Sequence, residues 1–268
     1  MQVTKISKKN GKFRTIYMPN PEEKAVLKMI LNSVQEQSQD LDKNCVQHGF
    51  QKGRNPVTNA LCHVGYEYSL CFDLADFFDS VKPEMVPDYV LGNPNLKAAC
   101  FPDGAARQGL PTSPALANIA ARNLDCEILK LQGGGRFGKL FVYTRYADDL
   151  TFSFDNKYLA KTLMEKVPQI VERQGFRINP AKTKLQWSGA GRRMITGVAV
   201  DKTIHVPREI KRRIRAAKHQ NNKKQINGLS EWAKLKLPKI NNVNKAPVGV
   251  NKFPAPFLNG MNQANQFI

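Results

Sequence analysis

The sequence predicts a mixed α/β fold (α+β) in which an antiparallel sheet is backed by helices. Two runs rich in β-branched and aromatic residues within residues 141–154 flank Asp148 and Asp149, a pattern typical of a β-hairpin. The mostly apolar residues 69–74 indicate a buried strand. Apolar residues recur at helical spacing over residues 113–131, so a helix is expected to pack its apolar face against the core.

The chain is strongly basic. It has 268 residues, with 41 Lys and Arg against 22 Asp and Glu, which gives a formal net charge of +19. Because this excess repels itself in a compact state, a polyanionic partner is expected, with binding that weakens as salt rises. The sequence has no amphipathic anchor and no apolar run of roughly 18 residues or more, so no membrane partner is expected. Nucleic acid is the expected partner.

The N-terminus and the cysteines indicate the compartment. Residues 1–10 lack the apolar stretch of a signal peptide, so a cytoplasmic location is expected. The cysteines are irregularly spaced and form no C-x-x-C pair, which argues against a zinc site and against a disulfide framework. We expect reduced and mostly buried thiols at Cys45, Cys62, Cys71, Cys100 and Cys126.

The first segments predict a basic hairpin followed by a helix. Strand-like runs on either side of Gly11 carry basic residues and no acid. Asn20 can cap the helix, Pro21 suits its first position and Glu23 completes a capping box. The predicted apolar stripe consists of Val26, Met29, Ile30 and Val34.

Further elements follow from helix start and stop signals. Residues 83–91 predict a short helix that Gly92 ends. Ser113 starts a longer helix, which the glycine run 133–135 closes; its predicted stripe is Leu116, Ile119, Ala120, Leu124, Ile128 and Leu131. Residues 156–174 predict a helix that Pro168 kinks or ends early. Short strands are expected at residues 176–178, 185–187 and 194–200.

The C-terminal region changes in composition. Residues 202–252 are rich in Lys and Arg and contain only two acids, Glu209 and Glu231, which indicates a small basic module. Pro207 opens a helix with one apolar side formed by Ile210, Ile214 and Ala217. Its basic residues are candidates for binding phosphates: Lys211, Arg212, Arg215 and Lys218.

The adjacent acids at the predicted hairpin tip are the most informative feature. Two like charges held this close are unfavourable unless a cation compensates them, and Mg²⁺ prefers one or two carboxylates together with substrate phosphates. Asp73 ends the predicted buried strand, so the three acids can bridge two divalent ions roughly 4 Å apart, as in phosphoryl transfer. Acids are also common at hairpin turns that bind no metal, so the pair alone is moderately specific.

Three motifs in order resemble a known family. Residues 72–81 (FDLADFFDSV), 108–118 (QGLPTSPALAN) and 146–149 (YADD) are similar to the first three palm motifs of bacterial reverse transcriptases. The resemblance covers most of the chain, to residues 195–197. It implies a right-hand polymerase fold, with fingers at 1–68 (part of the palm from about 40), a palm with the catalytic site at 69–200 and a small helical thumb at 201–240. An irregular or disordered tail is expected at 241–268.

The resemblance implies a role for each matching residue. Asp73, Asp148 and Asp149 would bind two Mg²⁺ ions, with Mn²⁺ as a substitute. Lys182 would protonate the departing pyrophosphate, although a plain surface lysine explains it about as well. The residues expected at the nucleotide are Lys12, Arg14, Phe78, Gln108, Gly109 and Tyr146.

Three of these positions bear on the sugar and the base of the nucleotide. Phe78 would crowd the ribose 2′ position and so favour deoxynucleotides, or it is a core residue like its neighbour Phe77. Gln108 would hydrogen-bond the nucleotide, and Gly109 would let the nucleotide approach the backbone. The alternative for Gly109 is that it only serves the turn before the next helix.

The other three positions would contact the triphosphate or the primer. Arg14 and Lys12 on the basic hairpin would neutralise triphosphate charge, which Arg can grip bidentately. A solvated surface hairpin is the alternative for both. Tyr146 would touch the primer terminus or the nucleotide site, unless it simply packs.

Two short signatures resemble retron reverse transcriptases in particular. Residues 59–63 match an N-A-x-x-H pattern, and residues 195–197 are similar to V-T-G with Ile in the first place. The resemblance implies that Asn59 and His63 contact the cognate RNA, whereas physics alone favours a hydrogen-bonded histidine on a helix face. Trp232 is similar to a thumb-helix position, where it would stack on nucleic acid unless it anchors the core.

The resemblance to retrons implies an RNA-directed DNA polymerase. Its expected ligands are dNTPs, a DNA product and a dedicated structured noncoding RNA as template and primer, with a 2′-hydroxyl start giving a branched RNA–DNA product. A separate effector or toxin protein and a role in antiviral defence are also implied. Two alternatives stay open: a non-retron reverse transcriptase, defence-associated or intron-derived, and a non-catalytic RNA-binding scaffold. Phe78 argues against an RNA-templated RNA polymerase.

Overall fold

The computed structural model describes residues 1–7, 11, 13–37, 46–132 and 140–238, and these residues fall into two units. The first unit comprises the described residues of Met1–Cys45, Leu74–Leu131 and Val167–Ile178. The second comprises those of Val46–Asp73, Gln132–Lys166 and Asn179–Ile268. Lys12, Cys45, the glycine run 133–135 and the predicted tail 241–268 lie outside the described residues.

The first unit combines one hairpin with a set of helices. Strands β1 (Gln2–Ser7) and β2 (Phe13–Met18) pair antiparallel, as the sequence predicts. The helices are α1 (Pro21–Gln37), α3 (Phe77–Ser80), α4 (Asp88–Leu91), α5 (Pro94–Cys100), α6 (Ser113–Ala120) and α7 (Arg122–Lys130). Helix α1 packs against α4, α5 and α6, while α3 packs against α6.

Helix α1 begins with the predicted capping box. The Glu23 N–H donates to Asn20 Oδ1 and the Asn20 N–H donates to Glu23 Oε2, both at 2.8 Å. The predicted apolar stripe is partly wrong, because Leu27 joins Ile30 and Val34 in the core. Val26 and Met29 are exposed instead.

Two predicted helices of the first unit are divided. Residues 83–91 form a 3₁₀ turn (Pro83–Met85) and then α4, because Pro87 lacks the N–H that would continue one helix. The helix from Ser113 is split at Ala121 into α6 and α7, and Thr112 rather than Ser113 is its N-cap residue. Of the predicted stripe, Leu116, Ala120, Leu124 and Ile128 are buried.

The second unit contains a four-stranded antiparallel sheet. Its strands are β3 (Tyr68–Asp73), β4 (Val142–Tyr146), β5 (Asp149–Phe154) and β6 (Lys184–Trp187). They lie in the order β4-β5-β3-β6. Aromatic rings surround Phe152: the ring centroids of Phe72, Phe141 and Tyr143 lie 5.8, 5.5 and 4.9 Å from its own. Side chains alternate along a strand, so Phe72 and Phe152 occupy the face opposite to Asp73 and Thr151.

A second core of this unit lies around α2 (Pro56–Leu61), which packs on a three-stranded sheet. Its strands are β7 (Arg193–Ile195), β8 (Val198–Val200) and β9 (Ile204–His205), so the predicted strand at 194–200 is a hairpin that turns at Thr196 and Gly197. The chain continues into α9 (Arg208–His219) and α10 (Lys223–Ala233), which pack on each other.

Of the two effects predicted for Pro168, a kink or an early end of the helix, the early end is wrong. Helix α8 (Leu159–Arg173) runs through Pro168 rather than ending there, and the boundary between the two units falls within it. The expected strand at 176–178 is reduced to a single antiparallel bridge between Leu74 and Ile178.

Candidate active site

The YADD residues form the tip of the β4–β5 hairpin. Tyr146 pairs with Asp149, so Ala147 and Asp148 make a two-residue turn. Ala147 adopts a positive φ of 55°, a conformation that such turns require and that a residue with a Cβ takes only at a cost. The tight turn fixes Asp148 and Asp149 next to each other at the end of a buried hairpin.

Asp73 and Asp149 face each other across two strands. They are direct partners in the antiparallel register of β3 and β5, and directly opposed side chains on one face lie about 5 Å apart at Cβ. A cleft of about 450 Å³ opens beside them, and its wall includes Asp73, Asp149, Lys182 and Lys184. The acid that ends the early strand and the acid that starts the later strand therefore meet, as the sequence analysis expected.

Burial and neighbouring charge disfavour ionisation of Asp149. Its pKa is raised to about 6, first by burial and then by the negative charges of Asp148 and Asp73, which Lys182 only partly offsets. A cluster of carboxylates with this excess of negative charge attracts a cation.

The carboxylate of Asp73 is held by a short turn, Pro180–Lys182, and the residue before it. Lys182 Nζ donates to Asp73 Oδ2 at 2.7 Å, and Asn179 Nδ2 donates to Oδ1 at 3.3 Å. The Asn179 N–H also donates to the Asp73 carbonyl at 2.8 Å. The hydrogen bond to Asp73 is the main cause of the raised pKa of Lys182. Across the described ranges, no three His, Cys, Asp or Glu side chains are grouped so as to hold a metal ion.

Sequence reasoning did not single out Asn179. It lies three positions before Lys182, but a lone Asn before Pro180 is typical of a turn residue. Tyr146 is half-buried at the same hairpin, and burial raises its pKa.

Four of the predicted nucleotide contacts lie in the first unit. Phe78 is half-buried with its ring centroid 5.7 Å from that of Phe77, which is buried. The Gln108 carbonyl accepts from the Tyr17 N–H at 2.8 Å. Gly109 has φ +104°, and a Cβ there would lie 2.1 Å from the Tyr17 carbonyl oxygen, so this position requires glycine. Arg14 is exposed on β2.

The structure places Asn59 and His63 in the core rather than at a surface. Both are fully buried, and the His63 ring is hydrogen-bonded to Ser153 Oγ at 3.0 Å and to Thr144 Oγ1 at 2.7 Å. Asn59 Nδ2 donates to Thr196 Oγ1 at 3.4 Å. This burial argues against the direct RNA contact that the resemblance implied and favours the alternative of a hydrogen-bonded core histidine.

The two retron-like signatures are thus joined in one polar network. Thr196, at the β7–β8 turn, also donates to the Pro56 carbonyl at 3.1 Å. Arg193 is buried, and its guanidinium donates to Ser69 Oγ at 2.7 Å and to the His63 carbonyl at 2.8 Å. Because α2, the four-stranded sheet and β7 all contribute, the network fixes the β7–β8 turn relative to the strand that carries Asp73.

The predicted RNA-binding residues of the C-terminal module divide into two groups. The exposed group lies on α9 and consists of Lys211, Arg212, Arg215 and Lys218. Trp232 on α10 is partly buried and packs on the core around α2, which favours the alternative of a core anchor. None of the helices in the described parts of the chain has the length and apolarity needed to cross a membrane.

Comparison with known proteins gives matches over most of the chain. The profile of the family described as reverse transcriptase (RNA-dependent DNA polymerase) matches residues 6–196. The chain is 33% identical to the retron Mx162 reverse transcriptase of Myxococcus xanthus, over 81% of this chain and 52% of that protein. It is 31% identical to the retron Ec73 reverse transcriptase of Escherichia coli, over 78% of this chain and 72% of that protein. It thus spans about half the length of the Myxococcus relative.

A solved structure shares the fold. Telomerase from Candida albicans, in complex with a fragment of telomeric RNA, matches with a TM-score of 0.57 at 11% identity, over 99% of this chain and 52% of that one. The predicted right-hand polymerase fold is confirmed. From the profile match and the retron relatives we conclude that this chain belongs to the reverse transcriptase family and, within it, to the retron reverse transcriptases.

Proposed function

We propose that the chain is an RNA-directed DNA polymerase of the retron type, which joins dNTPs to a primer hydroxyl while copying RNA. The observation that carries this proposal is the register that sets Asp73 opposite Asp149 beside an open cleft. Family membership supplies the reaction class, and the strongly basic composition suits a polyanionic template.

The acids fit a divalent metal site. Mg²⁺ takes one or two protein carboxylates and completes its coordination with water and substrate phosphates. The opposed Asp73 and Asp149 offer such a pair, and Asp148 is the neighbour of Asp149 in the turn. The pKa of Asp149 is raised first by burial and then by the negative charges of Asp148 and Asp73, which such an ion would neutralise. Two bound Mg²⁺ ions, or Mn²⁺ in their place, would supply activation of the primer hydroxyl and stabilisation of the pyrophosphate.

The other predicted site residues would bind and orient the incoming nucleotide. Lys182 stands at the cleft with its ammonium on Asp73, so on release it becomes a proton donor for the departing pyrophosphate. Phe78 would exclude a 2′-hydroxyl, and Gln108 and Gly109 would receive the nucleotide against the backbone. Arg14, which is exposed on β2, and Lys12 would neutralise the triphosphate.

The template is proposed to be a dedicated structured noncoding RNA. The exposed cations of α9 offer a phosphate-binding face for it. A start at a 2′-hydroxyl of that RNA would give a branched RNA–DNA product. A separate effector protein, a role in antiviral defence and a cytoplasmic location belong to the same proposal and rest on the retron relationship.

The test compares the wild type with a variant carrying Asp148→Asn and Asp149→Asn. RNA and DNA that copurify with each protein are sequenced, and extension of a DNA primer on an RNA template is measured with Mg²⁺. The wild type is expected to carry one structured RNA joined to DNA, and the variant to retain the RNA without DNA. A wild type that copurifies with no DNA and extends no primer would contradict the proposal.

A non-catalytic RNA-binding scaffold is the second candidate. It is favoured by the Lys182 ammonium on Asp73 and by the lack, among the described residues, of a three-ligand group that could hold a metal ion. The same experiment separates the two, because a scaffold would retain RNA in both proteins while even the wild type carries no DNA and extends no primer. Biological activity that persists in the Asn variant would also support the scaffold.

A further inference from the structure

Arg107 occupies a junction of three segments in the first unit. It directly precedes Gln108 and Gly109, which the proposed function places at the nucleotide. Its side chain is only 18% exposed although it is a long cation. Such burial is unusual for Arg unless its donors are satisfied.

The guanidinium N–H groups of Arg107 donate hydrogen bonds to two segments, one with Asp79 and one with Pro102 and Asp103. NH1 donates to Asp79 Oδ1 at 2.6 Å, which is a charge-assisted bond. Nε donates to the Pro102 carbonyl at 3.1 Å and NH2 to the Asp103 carbonyl at 3.0 Å. The Arg107 N–H donates to Ser113 Oγ at 3.1 Å, which ties the backbone to the start of α6.

The third segment that contacts the Arg107 guanidinium is strand β2, through Tyr17. The guanidinium carbon of Arg107 lies 5.5 Å from the centroid of the Tyr17 ring, within cation–π range. The Tyr17 hydroxyl donates to Asp103 Oδ2 at 2.7 Å, which is the main cause of its raised pKa. The Tyr17 backbone also contacts Gln108 and Gly109, as described above.

The Arg107 side chain therefore connects segments that carry proposed nucleotide contacts. Asp79 follows Phe78 on α3, Tyr17 is on the strand that carries Arg14, and Gln108 follows Arg107 itself. A shift of about 1 Å at such contacts is enough to lower catalytic efficiency strongly.

We propose that Arg107, through its ion pair with Asp79 and its contact with Tyr17, is a positioning residue for the incoming deoxynucleotide. It holds Phe78 and the Gln108–Gly109 backbone in one arrangement and thereby sets sugar selectivity. This inference rests on the proposed polymerase function. It does not make Arg107 a group that touches the substrate.

The test uses the full chain, a DNA primer annealed to an RNA template, and single-nucleotide addition of a matched dNTP or rNTP. Arg107→Gln and Asp79→Ala are each expected to raise KM for the dNTP at least about fivefold, and to lower the ratio of kcat/KM for dNTP over rNTP by a similar factor. The double variant is expected to resemble either single variant, because both remove the same ion pair.

Asp88→Ala is the matched control. It removes an acid from another ion pair of the same unit, in which Lys97 Nζ lies 2.7 Å from Asp88 Oδ1, and it should leave KM and selectivity unchanged. If Arg107→Gln fails to fold, Asp79→Ala carries the test, because the Asp79 side chain is 55% exposed. Folded variants with wild-type KM and selectivity overturn the inference alone, whereas a wild type without any primer extension overturns the proposed function.

Discussion

Lys182 and Asp73 are joined by a 2.7 Å ion pair although 109 positions separate them in the chain. The lysine side chain is 60% exposed and the aspartate side chain 10% exposed, so the ion pair joins a solvent-exposed ammonium to a nearly buried carboxylate in the wall of the cleft. An exposed ammonium can leave such a contact when a stronger cation arrives.

Removing the Lys182 ammonium should raise the apparent affinity for Mg²⁺ and lower kcat. In Lys182→Gln, the Mg²⁺ concentration for half-maximal primer extension is expected to fall, because no ammonium competes for Asp73 Oδ2. The kcat is expected to fall about 10²-fold through loss of a proton donor. A Mg²⁺ titration of primer extension measures both. Lys184→Gln at the same cleft is the control, and an unchanged kcat in Lys182→Gln would contradict the proposed role.

The negative charge of Asp149 is expected to lower the stability of the folded protein when no divalent ion is bound. Its ionised form is partly buried beside two other carboxylates, so Asp149→Asn is expected to raise the free energy of unfolding by about 1–3 kcal/mol at pH 7.5 without divalent ions. Thermal unfolding with and without Mg²⁺ is the measurement. Mg²⁺ should stabilise the wild type but much less the variant, while the exposed Asp88→Asn should behave like the wild type. A less stable Asp149→Asn protein would contradict the expectation.

Sugar selection should depend on Phe78. Phe78→Ala is expected to lower the ratio of kcat/KM for dNTP over rNTP by about tenfold or more, because the ring no longer overlaps a 2′-hydroxyl. Single-nucleotide addition on an RNA template checks this. Phe77→Leu is the comparison, since Phe77 is buried against Phe176 with a centroid distance of 5.7 Å. That change should lower stability and keep the ratio; equal ratios in wild type and Phe78→Ala would refute the role.

The α9 cations should account for part of the salt dependence of RNA binding. Replacing Lys211, Arg212, Arg215 and Lys218 by Gln is expected to weaken binding and to reduce the slope of log K against log salt by about 3, since each phosphate contact contributes roughly 0.7 for single strands. Filter binding at several salt concentrations measures the slope. Lys161→Gln and Lys166→Gln on the exposed side of α8 should change it little, and an unchanged slope in the α9 variant would exclude this face.

Stability should fall in acid because of a buried histidine. Burial, reinforced by the charge of Arg54, lowers the pKa of His48 to about 3, whereas the unfolded chain binds this proton near pH 6.5. Below about pH 6.5 the unfolded state holds more protons, so the free energy of unfolding decreases by up to about 1.4 kcal/mol per pH unit toward pH 3. Urea unfolding at pH 7.5 and 5 should show a smaller loss in His48→Asn. Replacing the exposed His219 is the control, and equal losses in wild type and His48→Asn would contradict the expectation.

Local patterns predicted the first hairpin, the hairpin that carries the adjacent acids and the buried strand before them, because alternation and turn residues act over a few positions. The capping box at Asn20 and Glu23 and the turn at Asp148 are such local features. The division at Pro87 was missed because the apolar spacing of residues 83–91 outweighed the effect of a missing N–H.

The site residues that could not be predicted from the sequence are those whose roles depend on contacts between distant parts of the chain. The roles of Asn179 on Asp73 and of Thr196 on Asn59 depend on elements more than a hundred positions apart. The burial of His63 depends on hydroxyls from two other strands, Ser153 and Thr144. Helical spacing alone could not show that these partners exist.

The segment around Gly49 lies directly behind the hairpin tip. A Cβ at Gly49 would sit 2.3 Å from the Ala147 nitrogen, and the neighbouring His48 N–H donates to the Arg145 carbonyl at 2.7 Å. Backbone atoms from a segment about a hundred positions earlier therefore buttress the acidic turn. Close backbone contacts thus hold the carboxylates in place before any substrate binds. The binding energy of the substrate is therefore not needed to align them.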